Sequence, residues 1–251
     1  SKKGSCEYQD LEYPDDCIVD FDMRLIDLFK EIDKKKLTLK MQIRQEYYRV
    51  KELLDGKRPS RMDLFTYMDD DIYRICVSGS HAKENPFQQY LDFLYELGEL
   101  SEDEQKLYAG IGREFIQTIE TTEMQKVYKM PILYSFYNHG NIRLAVTDEE
   151  VLESWKEFFD TGTNWKDFPN VNTYEDYKKV TDKQHLSKAK RMPIRFLKAS
   201  GKGFFVEKDG YALALRDEIG DVVGNMAFGE QMGDVLGYRS LEYYRRRYEK
   251  R

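Results

Sequence analysis

At 251 residues the chain has room for one large domain or two small ones, and a content of 41% apolar and 14% aromatic residues excludes a disordered tail. The net charge of −6 argues against a chain built only to coat nucleic acid, so any such role must rest on local clusters. Three cysteines without Cys-x-x-Cys spacing exclude a disulfide framework or a structural zinc site and point to a reducing cytoplasm, while no apolar run approaches the ~20 residues of a bilayer span and no signal-peptide pattern opens the chain.

The start at Ser1 rather than Met reads as a piece of something longer. Residues 1–21 read as irregular, with a turn at Pro14-Asp15-Asp16. Apolar residues at helical spacing then predict helices over 22–34 and 37–54, the second stopped by Asp55-Gly56. Ser60 and Asp63 approximate a capping box, so Gly56 to Ser60 is a basic turn between two helices, the outline of a helix-turn-helix. The acidic run Asp69-Asp70-Asp71 opens a short helix, and Asn85-Pro86 opens another that stops at Gly98. Ser101 and Glu104 cap a helix expected to reach residue 121, with Gly110 and Gly112 inside it for close packing.

The second half mixes strands with helices. A buried helix over 131–137 leads through Asn138-His139-Gly140-Asn141 into a strand at 142–146. Thr147 and Glu150 cap an amphipathic helix carrying Val151, Leu152, Trp155, Phe158 and Phe159 on one stripe. After a loop at 161–172 comes a short helix capped by Thr173 and Asp176, then a helix over 182–199 broken at Pro193. Asp209-Gly210 between two apolar runs marks a hairpin over 204–215, and the tail from 218 is helical. Lys129-Met130-Pro131-Ile132 is echoed by Arg191-Met192-Pro193-Ile194, each leading through a short helix and a glycine into a strand. The fold class expected is mainly α with a small β component, divided into 1–21, 22–125 and 126–251, with a winged-helix-like helix–hairpin unit in the C-terminal half.

No catalytic centre is legible. A phosphate loop and a dinucleotide fingerprint are absent, and His81, His139 and His185 lack metal-ligand spacing. Asp69 to Asp71 suit a helix start better than a metal site, although a Mg²⁺-dependent nuclease stays open as a minor alternative. The basic segments carry more. Residues 182–203 hold Lys183, Lys188, Lys190, Arg191, Arg195, Lys198 and Lys202 against the single acid Asp182. The hairpin follows directly. Such a helix would lay Lys188, Lys190, Arg191, Arg195, Lys198 and Lys202 against phosphates, with Lys208 at the hairpin tip. Arg58 and Arg61 form a second basic turn, and Arg245-Arg246-Arg247 with Tyr243, Tyr244 and Tyr248 a third.

Several stretches together resemble one family: Asn85-Pro86-Phe87-Gln88-Gln89-Tyr90-Leu91-Asp92-Phe93-Leu94, Tyr128-Lys129-Met130-Pro131-Ile132-Leu133, Trp155-Lys156-Glu157-Phe158-Phe159 and Tyr238-Arg239-Ser240-Leu241-Glu242-Tyr243-Tyr244. They are similar to the C-terminal region that follows the motor in bacterial DEAD/DEAH-box superfamily-2 helicases of restriction- or defence-associated type. The resemblance implies a cytoplasmic, non-enzymatic accessory module assisting duplex DNA binding beside its own motor, with ATP and Mg²⁺ needed only by that motor. The alternative is a protein–protein docking module for a partner subunit of a DNA-processing or defence system.

Overall fold

The computed structural model describes residues 37–248, so the expected irregular segment 1–21 and helix 22–34 lie outside the described residues. The described chain is mainly helical with one small antiparallel sheet.

Helix α1 (Leu39–Leu53) is capped by the Thr38 hydroxyl and buries Ile43, Tyr47 and Val50. It ends where Asp55 and Gly56 turn left-handed, a conformation glycine adopts without strain. Helix α2 (Arg61–Tyr67) carries the full Ser60–Asp63 capping box. In α3 (Asp70–Val77) the Asp69 carboxylate accepts from the amides of Asp71 and Ile72, so the acidic run serves as a helix cap. A 3₁₀ turn at Pro86–Gln88 leads into α4 (Tyr90–Leu97), which Gly98 stops.

One expected helix is two. Helix α5 (Glu102–Tyr108), capped by Ser101 and Glu104, ends before Gly110, whose backbone is extended (φ −119°, ψ −168°) and starts α6 (Ile111–Thr121) afresh. Gly112 does provide the close packing expected of it: a Cβ there would fall 2.0 Å from Leu107 Cδ1.

Helix α7 (Lys129–Tyr137) ends at Asn138 and His139, both left-handed, and strand β1 (Ala145–Val146) follows. Helix α8 (Asp148–Asp160) has its Thr147–Glu150 box and buries Val151, Trp155, Phe158 and Phe159. Short α9 (Tyr174–Lys178) precedes α10 (Asp182–Ala189). The chain then widens into a π turn at Lys190–Ile194 before α11 (Arg195–Ser200). Pro193 sits in that turn; its ring and missing N–H do not fit a regular α-helical ladder, and the wider turn accommodates them. Strands β2 (Phe205–Val206) and β3 (Leu213–Leu215) form the expected hairpin, and α12 (Gly220–Val223) leads into the long α13 (Met226–Tyr248).

The sheet order is β1-β3-β2, with Ala145 opposite Ala214 and Phe205 opposite Leu215. The two Met-Pro-Ile units thus feed the two strands that flank β3. Gly201 sets how closely α11 approaches β2. A Cβ there would lie 2.5 Å from the Leu197 carbonyl oxygen and 2.3 Å from Phe205 Cδ2. Gly201→Ala is therefore expected to destabilise the protein by about 1–3 kcal/mol through overpacking, read as a lower urea midpoint at unchanged slope.

Two apolar clusters make up the core. The smaller joins Ile43, Tyr47, Leu64, Tyr73, Phe87, Leu94 and Tyr238. The larger holds Phe136, Trp155, Phe159, Phe205, Leu213 and Phe228, and also Leu107, Phe115, Ile116 and Ile119. Those last four were expected with the unit ending at 125, so the core crosses that boundary. Helix α13 ties the clusters together, giving Tyr238 to one and Phe228, Met232, Val235 and Leu236 to the other.

Candidate nucleic-acid interface

The basic turn at 57–61 does not present its arginines to solvent. Arg61 has 0% of its surface exposed. Its Nε and Nη2 donate to Glu120 Oε1 at 2.9 and 2.6 Å, and its Nη1 donates to Asp234 Oδ2 at 2.8 Å and Gln231 Oε1 at 2.7 Å. Its guanidinium lies over the Tyr90 ring, 4.5 Å from the centroid. Burial works against this charge, but Glu120 and Asp234 outweigh it and hold the guanidinium pKa above its ordinary value. Arg58 donates to Glu104 and to the Glu99 carbonyl, and Gln231 donates to the same Glu104. The expectation that Arg61 meets nucleic acid is corrected: it is a buried clasp between α2, α6 and α13. Arg58 is held in the same network.

The terminal arginines are also engaged. Arg245 pairs with Asp70 at 2.6 Å, Arg246 with Glu242 and Arg247 with the buried Asp167.

The cations of 182–202 divide between two surroundings. Lys190 reaches Asp148 at 2.6 Å, at the start of α8, and Lys198 pairs with Glu207 on the hairpin. Both were expected to face phosphates; carboxylates from neighbouring elements neutralise them instead. Lys188 and Arg191, with Lys183, line a cleft of about 450 Å³ beside Phe168 and Val180, with Asp176 the carboxylate in its wall. The Lys188 ammonium lies over the Tyr128 ring at 5.0 Å. Burial lowers its pKa, and the nearby charges of Arg191 and Lys126 lower it further. Across Tyr128, a groove of about 430 Å³ is rimmed by Lys126, Lys129 and Lys202, with Glu123 beside them. Arg195 is exposed and stacks over the Phe196 ring at 5.1 Å. Lys208 stands at the hairpin turn over the Tyr211 ring.

Lys183, Lys188 and Arg191 around one cavity and Lys126 and Lys202 around the other make a cationic band that meets where Lys188 lies near Lys126. Among the described residues, none of the five has a carboxylate at salt-bridge distance. Lys126 and Lys129 escaped sequence reading because they are isolated lysines outside the dense basic run. Only the packing of 122–129 on α10 and α11 brings them in.

His185 anchors the inner face of α10. It is 2% exposed, packed on the rings of Phe168 and Tyr177 at 4.9 and 5.5 Å. Burial lowers its pKa, helped by Lys156 and opposed by Asp182 and Asp160. A histidine depressed on folding binds its proton more readily in the unfolded chain. Its contribution is present above the unfolded pKa of about 6.5 and is lost as pH falls through the folded value. Wild-type melting temperature is expected to drop between pH 7 and 5 by more than that of His185→Phe.

No protein-family model, curated protein or solved structure matches the chain.

Proposed function

We propose that the chain is a non-catalytic accessory module that holds nucleic acid for a helicase-like motor, using Lys126, Lys183, Lys188, Arg191 and Lys202. The observation that carries this reading is the grouping of those cations around two adjoining cavities with no carboxylate at salt-bridge distance among the described residues. Gathering like charges costs the free protein repulsion. A polyanion relieves it, and the release of its counterions drives binding.

The connectivity supports the same reading. Helix α7, strand β1, helix α8, the α10–α11 helix and the hairpin follow in the order of a winged helix, with β1 against β3. In that reading α10–α11 is the recognition helix and the 207–210 turn, with Lys208, is the wing tip. The connector 161–181 is longer than the ~3–4-residue turn of a helix-turn-helix and carries α9. Duplex DNA is the ligand this arrangement suits, while ATP and Mg²⁺ belong to the motor. In a titration of labelled duplex with the whole chain, binding is expected at low salt and should weaken steeply as salt rises. A flat titration at low salt removes the nucleic-acid reading.

A second reading, docking of a protein partner, is favoured by a cleft of about 500 Å³ lined by Tyr134, Phe158, Leu241, Glu153 and Glu157. Its lining is aromatic, and because Arg143 and His139 lie against Glu150 and Glu157, Glu153 is the acid left to meet a basic group of a motor or partner subunit. Substitutions in the cationic band would leave such docking intact.

A further inference from the structure

The groove shares Lys126 and Lys202 with the cationic band and adds an apolar wall that duplex binding does not use. Its wall is the π turn and the start of α11, which supply Met192, Pro193 and Phe196. Phe196 is 42% exposed, and the Arg195 guanidinium lies over its ring. Lys126, Lys129 and Lys202 stand around this apolar surface, with the Glu123 carboxylate in the same lining near Lys129. Lys129 is tethered to the Thr122 hydroxyl at 3.0 Å.

A duplex offers phosphates to lysines but keeps the faces of its bases stacked inside. Arg195 already covers one face of Phe196, and the part of the ring that lines the groove gains nothing from a closed duplex. It gains from an unstacked base, because the π face of any base can lie on it while the attached phosphates meet the lysines. The volume falls in the range of sites that enclose small organic groups.

The geometry points to this groove as a seat for an unpaired base of single-stranded nucleic acid, placed next to the duplex-holding band so that the face as a whole fits a duplex-to-single-strand junction. The inference rests on the nucleic-acid reading above and adds a ligand to it. Phe196 supplies the stacking surface, and Lys126, Lys129 and Lys202 receive the phosphates on either side.

The test uses the whole chain and three labelled probes at one low salt concentration: a blunt duplex, the same duplex with a ten-nucleotide thymidine overhang, and the thymidine strand alone. Wild type is expected to bind the overhang probe roughly fivefold or more tighter than the blunt duplex, the lower end of what stacking one base contributes. Phe196→Ala is expected to weaken binding of the overhang probe at least fivefold more than binding of the blunt duplex, which removes the preference. Phe196 is outside the buried core, so the variant should stay folded at the assay temperature, which circular dichroism checks. Equal wild-type affinity for blunt and overhang probes overturns the junction inference and leaves duplex binding standing. An equal loss on both probes in Phe196→Ala also overturns it. No binding to any probe overturns both.

Discussion

Arg61→Ala is expected to cost about 3–5 kcal/mol, because it strands the buried Glu120 carboxylate rather than removing a surface charge. Glu120 is almost wholly buried and accepts from two Arg61 nitrogens and from the Tyr90 amide. Asp234 accepts from Arg61 Nη1 and from the amides of Arg61 and Met62. Without the guanidinium, the Glu120 carboxylate keeps only a backbone amide in a site that solvent does not reach. The loss corresponds to a melting temperature roughly 6–20 °C lower for a domain of this size. Arg58→Ala should cost less, since its side chain is 30% exposed and water can replace part of what it gives Glu104. Below its melting transition, Arg61→Ala should bind duplex as well as wild type. A melting temperature within a degree of wild type would mean that the clasp does not hold α2, α6 and α13 together.

Neutralising Lys188 and Arg191 is expected to weaken duplex binding by at least tenfold at low salt, whereas neutralising Lys190 and Lys198 should change it less than twofold. The four residues lie within eleven positions of one another, and composition cannot tell them apart. Their surroundings can. Lys190 and Lys198 are compensated by Asp148 and Glu207, so a phosphate would have to displace a carboxylate to use them. Lys188 lies near both Arg191 and Lys126, and these charges repel until an anion arrives. Lys188→Gln gives up a contact with the Tyr128 ring and the second pair gives up two half-exposed ion pairs, so both double variants should stay folded at the assay temperature, which circular dichroism checks. Equal losses from the two pairs would show that binding follows total charge and not the face described.

Local chemistry carried much of the fold into view. Ser60, Ser101 and Thr147 each stand three residues before an acid, and each closes a capping box. Pro193 announced the break in the helix that became the π turn, and Asp209-Gly210 announced the hairpin. What stayed hidden depends on residues far away in sequence. Arg61 reads as a solvated turn residue until α6 and α13 bring Glu120 and Asp234, 59 and 173 positions distant, around it. Lys190 reads as free until the start of α8 places Asp148 beside it, 42 positions away. The Gly110 break was missed because glycine is tolerated inside a helix as well as at its end. Of the candidate site, the basic run itself was visible. Its division into a compensated side and an open side was not, and neither was the contribution of Lys126.

The most direct measurement is the slope of log affinity against log salt for labelled duplex, taken for the whole chain and for Lys188→Gln with Arg191→Gln. If these side chains meet backbone phosphates, wild type should give a steep negative slope and the variant one shallower by about two units, near one for each cation lost. A variant slope equal to that of wild type, or a wild type that fails to bind at the lowest salt, would contradict the proposal that this face receives nucleic acid.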